Sequence, residues 1–374
     1  DEMLERPLVV VTMMEHHSNL IPWMEAVGHH NLRAVRVDPA TGALDLSDLA
    51  RVLETEGRRV RLVAVTGVSN VTGIVNPVHR IAAMAHAVGA QILVDGAQWV
   101  PHARVEMHGA EPGDSLDYLV LSGHKLYAPG SRGALIGSLE TLSGRRCVTD
   151  VGGGMVEYVS INDFEIKDDV AAREEAGTPN IPGSIAMGLV AETLLRIGMD
   201  LVAEREHRLT EALVRRLERV PKIHIYGSTD LDAVPRAGVV SFNIEGLRHG
   251  LVAAYLNDFH DIAVREGCFC AHPYVKALIG VDDQTEESYR QEMLCGDRRN
   301  VPGMVRASLG VYSTADDVEA LGAALERLVG RADEMSARYR SGLDGTFRLA
   351  DAAELPRTYA VADEVARWLD GGAR

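Results

Sequence analysis

Gln91-Ile92-Leu93-Val94 runs straight into Asp95-Gly96-Ala97-Gln98, and further on Leu119-Val120-Leu121 runs into Ser122-Gly123-His124-Lys125. Each is a short apolar run that stops on polar and glycine residues, as a strand buried on both faces does. The second of these opens at Leu116, and Leu8–Thr12 and Leu62–Thr66 upstream have the same form. Helix-like stretches, Ser47–Leu53 and Val78–Val88, lie between the runs. Strands alternating with helices predict an α/β fold with a doubly wound, mainly parallel sheet. In such sheets function gathers at the carboxyl ends of the strands.

Those ends carry the informative residues. Asp95 closes one strand, where a carboxylate can hold a cationic nitrogen, although Asp after a strand is often only a helix cap. Lys125 follows the next. A lysine at such an edge is usually solvated, but between apolar walls its pKa falls and its amine can form a Schiff base. Ser122 and His124 beside it can bind a phosphate. An Asp and a Schiff-base Lys on successive strands are what pyridoxal phosphate requires: one keeps the pyridine nitrogen protonated, the other tethers the aldehyde.

Other strand ends add to this. Glu15-His16-His17-Ser18-Asn19 follows the first strand. Adjacent histidines in extended chain point to opposite faces, so a ring stacked on an aromatic cofactor suits one of them better than a shared metal does. Asn70, after Val68-Ser69, can donate to a ring oxygen, and an Asx turn explains it equally well. Arg265-Glu266-Gly267-Cys268-Phe269-Cys270-Ala271-His272-Pro273 places two thiols in a turn beside an arginine and a histidine. Free cysteines are usually inert and packed. In this setting a thiolate nucleophile is the stronger reading, and Cys147 with Cys295 offers no zinc-like second pair, so no metal is expected.

The bulk properties narrow the partners. Lys plus Arg number 38 against 54 Asp plus Glu, a net charge of −16, which disfavours nucleic acid and anionic membrane surfaces. No apolar run approaches the ~18 residues of a bilayer span. With four cysteines in 374 residues and an N-terminus unlike a targeting segment, the expectation is a cytoplasmic protein with reduced thiols. A second region follows the helix-like Ile185–Ile197, with strands at Val239–Phe242, Ile262–Arg265 and Arg306–Leu309. Thr314 is placed to cap a helix with Asp317, whose Val318, Leu321, Leu325 and Leu328 form one apolar face.

In their order along the chain these segments resemble the class V aminotransferases, in the group of cysteine desulfurases and selenocysteine lyases. The matching stretches are Met14–Asn19, Val68–Asn70, Val94–Gln98, Ser122–Lys125, Glu175-Ala176-Gly177-Thr178-Pro179-Asn180, the Arg265–Pro273 turn and Arg306–Leu309. The resemblance runs from about Leu8 to Leu328. It implies fold type I of the pyridoxal-phosphate transferases: a large cofactor domain over residues 1–198, a smaller α+β domain over 199–335, and an extension over 336–374 without an assigned role.

Carried over by position, the resemblance implies that Lys125 binds the cofactor aldehyde, Asp95 pairs with the pyridine nitrogen and His16 stacks on the ring. Asn70 and Gln98 approach the phenolic oxygen. Ser122 and His124 hold the phosphate, which Thr178 reaches from the other subunit of a homodimer. Arg306 binds the substrate carboxylate, Arg265 lines the same pocket, and Cys270 accepts the sulfur as a persulfide while L-cysteine becomes L-alanine. A sulfur-acceptor protein is a possible further partner. Rival readings are another class V enzyme, such as a carbon–sulfur lyase, an epimerase or a tailoring enzyme, and an inactive sulfur-transfer scaffold.

The chain also departs from the group. Relatives carry a segment before the first strand, with a Gly-Thr-rich helix N-terminus for the phosphate. Nothing in Asp1–Val11 supplies it; a first strand opening in mid-sheet favours residues preceding Asp1 over an incomplete pocket. Cys268 stands where these desulfurases carry histidine, which suggests a persulfide relay or a reversible disulfide with Cys270. Val275–Pro302 reads as an insertion, by default a surface helix.

Overall fold

The computed structural model describes residues 7–143 and 151–351, together with Trp368. The readings made for Asp1–Arg6, for Cys147 and, apart from Trp368, for the helix-like Tyr359–Leu369 lie outside the described residues.

Strands β1 (Leu8–Thr12), β2 (Leu32–Val35), β3 (Val60–Thr66), β4 (Gln91–Asp95), β5 (Tyr118–Ser122) and β6 (Gly133–Gly137) form one sheet in the order β2-β1-β3-β4-β5-β6. All neighbours are parallel except β5 and β6. The pleat of β1 explains its unbroken apolar sequence. Leu8 and Val10 enter the larger core, while Val9 and Val11 enter a smaller one on the opposite face. Helix Leu46–Glu56 is capped by Asp45, which accepts from the N–H groups of Ser47 and Asp48.

The register aligns Thr66 with Asp95, and Asp95 with Val120. The loops after β1, β3, β4 and β5 therefore leave from the same edge, where the sequence placed its chemistry. Gly123 is needed there: a Cβ would lie 2.0 Å from Ser131 Oγ and 2.3 Å from the Arg132 carbonyl.

After the hairpin β7 (Val156–Val159) and β8 (Phe164–Ile166) come two long helices, Ile181–Ile197 and Met199–Glu218. A second, antiparallel sheet then forms from β9 (Ile223–Ile225), β10 (Val239–Ile244), β11 (Arg265–Gly267) and β12 (Met304–Ser308), ordered β11-β12-β10-β9. Phe242, Val305, Leu213 and Leu217 share its separate core with Val318, Leu321, Leu325 and Leu328. The helix Ala315–Gly330 carrying those last four begins in the expected capping box of Thr314 and Asp317. The strand expected over Ile262–Arg265 sits instead at Arg265–Gly267, because pairing with β12 rather than apolar character makes it a strand. The insertion holds a helix, Asp283–Leu294, with no buried residue. A last hairpin, β13 (Tyr339–Ser341) and β14 (Phe347–Leu349), packs beside the second core.

The second sheet is bolted to the loop after β3. Arg236, buried, donates from Nε to the Thr72 carbonyl at 2.7 Å and from Nη1 to that of Ser228 at 2.9 Å. Tyr274, also fully buried, donates to the Gly42 carbonyl at 2.6 Å. These contacts bring the Cys270 turn and Arg306 to the edge of the first sheet.

Candidate active site

A cavity of about 440 Å³ opens at the carboxyl ends of β1, β3, β4 and β5. His16, Asn70, Asp95, Gln98, Ser122, His124 and Lys125 all line it, so seven of the residues singled out in the sequence meet in one place. Thr178 does not; it is exposed in the loop before helix Ile181–Ile197.

Asp95 is buried as the last residue of β4, and its Oδ1 accepts from the Ala97 N–H at 2.9 Å. Among the described residues no cationic side chain lies within ion-pair distance of it. Lys125 is half-buried and likewise without an ion-pair partner among the described residues. Burial lowers its pKa against the pull of Asp95, and Arg306 and Arg265 push in the same direction as burial. A buried carboxylate and a desolvated amine held around one cavity fit a group with a cationic ring nitrogen and an aldehyde. Pyridoxal phosphate is such a group.

His16 shows which of its nitrogens is free. The Ser18 N–H donates to Nδ1 at 3.2 Å, so the ring proton belongs on Nε2. Burial, together with the charge of Lys125, lowers the His16 pKa and keeps the ring neutral. His17 turns the other way, to His272, with ring centroids 4.7 Å apart. The two rings take different partners, although His17 opens a short 3-10 turn with His16 as its cap and the chain here is not extended.

The Cys270 turn is held from both sides. The His17 N–H donates to the Cys270 carbonyl at 2.7 Å, and Asn70 Nδ2 donates to the Phe269 carbonyl at 2.8 Å. Asn70 therefore spends one amide hydrogen on the turn, and only the rest of its side chain is left for a cofactor. Phe269 and Cys270 are both left-handed, with φ of 53° and 55°. Two successive non-glycine residues in that region store about 1–3 kcal/mol each, strain typical of a functional turn. Cys270 is exposed. Cys268 differs: its thiol donates to the Pro302 carbonyl at 3.0 Å, and burial, with Glu266 nearby, pushes its pKa up to about 11. That environment favours the protonated, hydrogen-bonded thiol at Cys268.

Arg265 and Arg306 stand directly opposite on β11 and β12. Like charges so placed repel, and an anion between them would relieve the repulsion. Arg306 packs over the Phe269 ring at 5.2 Å and donates from Nη1 to the Asn70 carbonyl at 2.7 Å. Its Nε is buried without a partner. Burial and Arg265 lower its pKa to about 10. A guanidinium with unspent donors, rimmed by a second arginine, suits a carboxylate.

Glu15 was read in the sequence only as part of a motif, yet it is fully enclosed. It accepts from the Thr12 hydroxyl and the Asn19 amide, each at 2.6 Å, and from the Thr66 N–H at 3.0 Å. Asn19 in turn accepts from Trp23 Nε1 at 3.1 Å, in the cavity wall. Burial raises the Glu15 pKa to about 8, outweighing those three donors, and Asp95 adds to the rise. Because the folded state holds this proton more tightly than the unfolded chain, the contribution is complete below the usual carboxylate range. It is lost as pH rises toward about 8. Thermal unfolding measured from pH 5 to 8 should therefore show a decline on the order of a few kcal/mol that Glu15→Gln lacks. Equal slopes for the two proteins would refute this. The local signal in sequence was only a glutamate after a buried strand.

Comparison with known proteins agrees with this geometry. The family model described as aminotransferase class-V matches residues 3–321. The cysteine desulfurase of Dickeya dadantii strain 3937 is 36% identical over 322 residues, covering 86% of this chain and 69% of the relative. That of Serratia proteamaculans strain 568 is 34% identical, over 86% and 70%. Among solved structures, the apo cysteine desulfurase of Thermococcus onnurineus NA1 superposes with a TM-score of 0.71 at 32% identity, over 88% of this chain and 74% of that one. An Escherichia coli cysteine desulfurase bearing an S-sulfonic acid gives 0.67 at 27%, over 87% and 72%.

Proposed function

We infer the function from one premise: this chain belongs to the class V aminotransferase family. Its cofactor is pyridoxal phosphate and its activity is that of a cysteine desulfurase, converting L-cysteine to L-alanine with release of the sulfur. The observation that carries the residue assignments is the meeting of Asp95, Lys125 and His16 in one cavity, with the strained Cys270 turn and the paired arginines beside it.

Lys125 would tether the cofactor, Asp95 would hold the proton of its ring nitrogen, and His16 would cover its face. Ser122 and His124 are assigned to the phosphate, and Gln98 with the free side of Asn70 to the ring oxygen. Bound there, pyridoxal phosphate supplies an electron sink for the substrate Cα. Arg306 takes the substrate carboxylate in its fork and Arg265 closes the same side. Lys125, its amine made available by desolvation, removes the Cα proton. The Cys270 thiolate attacks the substrate sulfur: the S–S bond forms and the C–S bond breaks. Cys270 is left as a persulfide, and Lys125 returns a proton on the way to alanine.

The assembly belongs to the same reading. Ile181, Ile185 and Leu189 lie on one helix face and are 55%, 60% and 60% exposed, an apolar stripe that a second copy of the chain would cover. Thr178, exposed just before that helix, is assigned to the partner's cavity. We further assign the large domain to residues 1–198, the small one to 199–335 and an extension to 336–374, although Phe269, Tyr274 and Met304 join the first core and Tyr339 joins the second. Among the described residues no helix is long and apolar enough to cross a membrane. Free Cys268, Cys270 and Cys295 suit a reducing cytoplasm, where a sulfur-acceptor protein would collect the persulfide.

Incubating the cofactor-loaded protein with L-cysteine and a mild reductant should yield alanine and sulfide in equal amounts. Bound cofactor without alanine would overturn the reaction and point to another amino-acid substrate.

A further inference from the structure

Gln98 reaches the cavity from a single turn of chain after β4, and that turn also carries His102, which the assignments above leave unused. Gln98 Nε2 lies 3.1 Å from His102 Nε2. On its other side His102 Nδ1 lies 2.7 Å from Glu206 Oε2, a residue 104 positions away on helix Met199–Glu218. Both side chains are buried, at 8% and 3% exposure. Glu206 Oε1 is buried with no hydrogen-bond partner. Two apolar side chains would fill such a space at lower cost than this pair, so its chemistry has to be looked for in what it holds.

We propose that Glu206 and His102 are positioning residues for the cofactor: the carboxylate fixes the His102 ring, and the ring fixes which way the Gln98 amide faces the cavity. A carboxylate only accepts, so the Nδ1 beside it carries the hydrogen. Nε2 then offers a lone pair, to which the Gln98 N–H donates. A free glutamine amide can turn over and exchange donor for acceptor; one held by its N–H cannot. Helix Met199–Glu218 also contributes Leu213, Val214 and Leu217 to the second core. The aim of a group in the cofactor pocket thus depends on the packing of the second region.

The proposal rests on the reading of Gln98 as a cofactor ligand. The test is the pH midpoint of the bound cofactor's visible absorption in Glu206→Gln, in Gln98→Ala, and in both combined. The Glu206→Leu/His102→Leu pair removes both polar partners together, and so keeps the test open if the single change does not fold. Tyr127, the other titrating group that senses Glu206, is left unchanged. A donated N–H favours the more anionic ring oxygen, so losing it raises the midpoint, by roughly one pH unit for one charge-assisted hydrogen bond. Loss of the Glu206 charge acting through space would lower the midpoint instead.

Upward shifts in Glu206→Gln and in the double-leucine variant, neither adding to that of Gln98→Ala, are the expected result. An unchanged midpoint, a downward shift, or a shift that adds fully to Gln98→Ala would overturn the relay while leaving the desulfurase reading standing. A wild-type protein that takes up pyridoxal phosphate without any visible band would overturn both.

Discussion

Cys270→Ala protein keeps its cofactor and its visible absorption but loses L-cysteine turnover by roughly 10³-fold or more, the scale expected when a covalent nucleophile is removed. The substitution removes one exposed sulfur atom and touches no core contact. The main-chain bond from His17 to the Cys270 carbonyl does not depend on the side chain, so the turn persists. The strain at Phe269 and Cys270 also persists, because alanine is no easier in the left-handed region than cysteine. Alanine production and persulfide labelling are the readouts. Labelling that survives in Cys270→Ala would move the nucleophile elsewhere, and Cys268→Ala is the matching control. That variant should keep wild-type turnover, because the half-buried Cys268 thiol donates to the Pro302 carbonyl and burial pushes its pKa up to about 11.

Lys125→Ala is expected to lose turnover by roughly 10³-fold or more as well, by a different route. Here the tether and the proton carrier go together, so the cofactor should also leave more readily on dialysis. Burial lowers the Lys125 pKa, which favours free amine at the pH of the reaction. Lys125→Arg tests this point, since a guanidinium stays protonated and cannot serve as base. Retained alanine formation in Lys125→Arg would remove Lys125 from the proton transfer. Holding the cofactor concentration well above saturation separates loss of binding from loss of chemistry.

Strands β1, β3, β4 and β5 were legible because each is largely buried and therefore largely apolar; β1 matches its expected limits of Leu8–Thr12. The same physics made Asp95 and Lys125 conspicuous, since a charge at the end of such a run sits where loops gather. Other elements were not legible. Edge strand β2 is half-exposed, and β11 is polar throughout, so neither carries a pattern of its own. Partner choice makes them strands, and partner choice is a tertiary fact.

Within the site the division is the same. The sequence by itself determined which chemistry stands at each strand end, because that depends only on neighbours along the chain. Only the tertiary structure decided what holds it: Asn70 on the Phe269 carbonyl 199 residues away, Arg265 opposite Arg306, Glu15 sealed beneath the cavity, and Glu206 behind His102. Contacts of that range leave no periodicity in the chain, and burial, which sets the pKa of Glu15 and of Cys268, exists only once distant segments have packed.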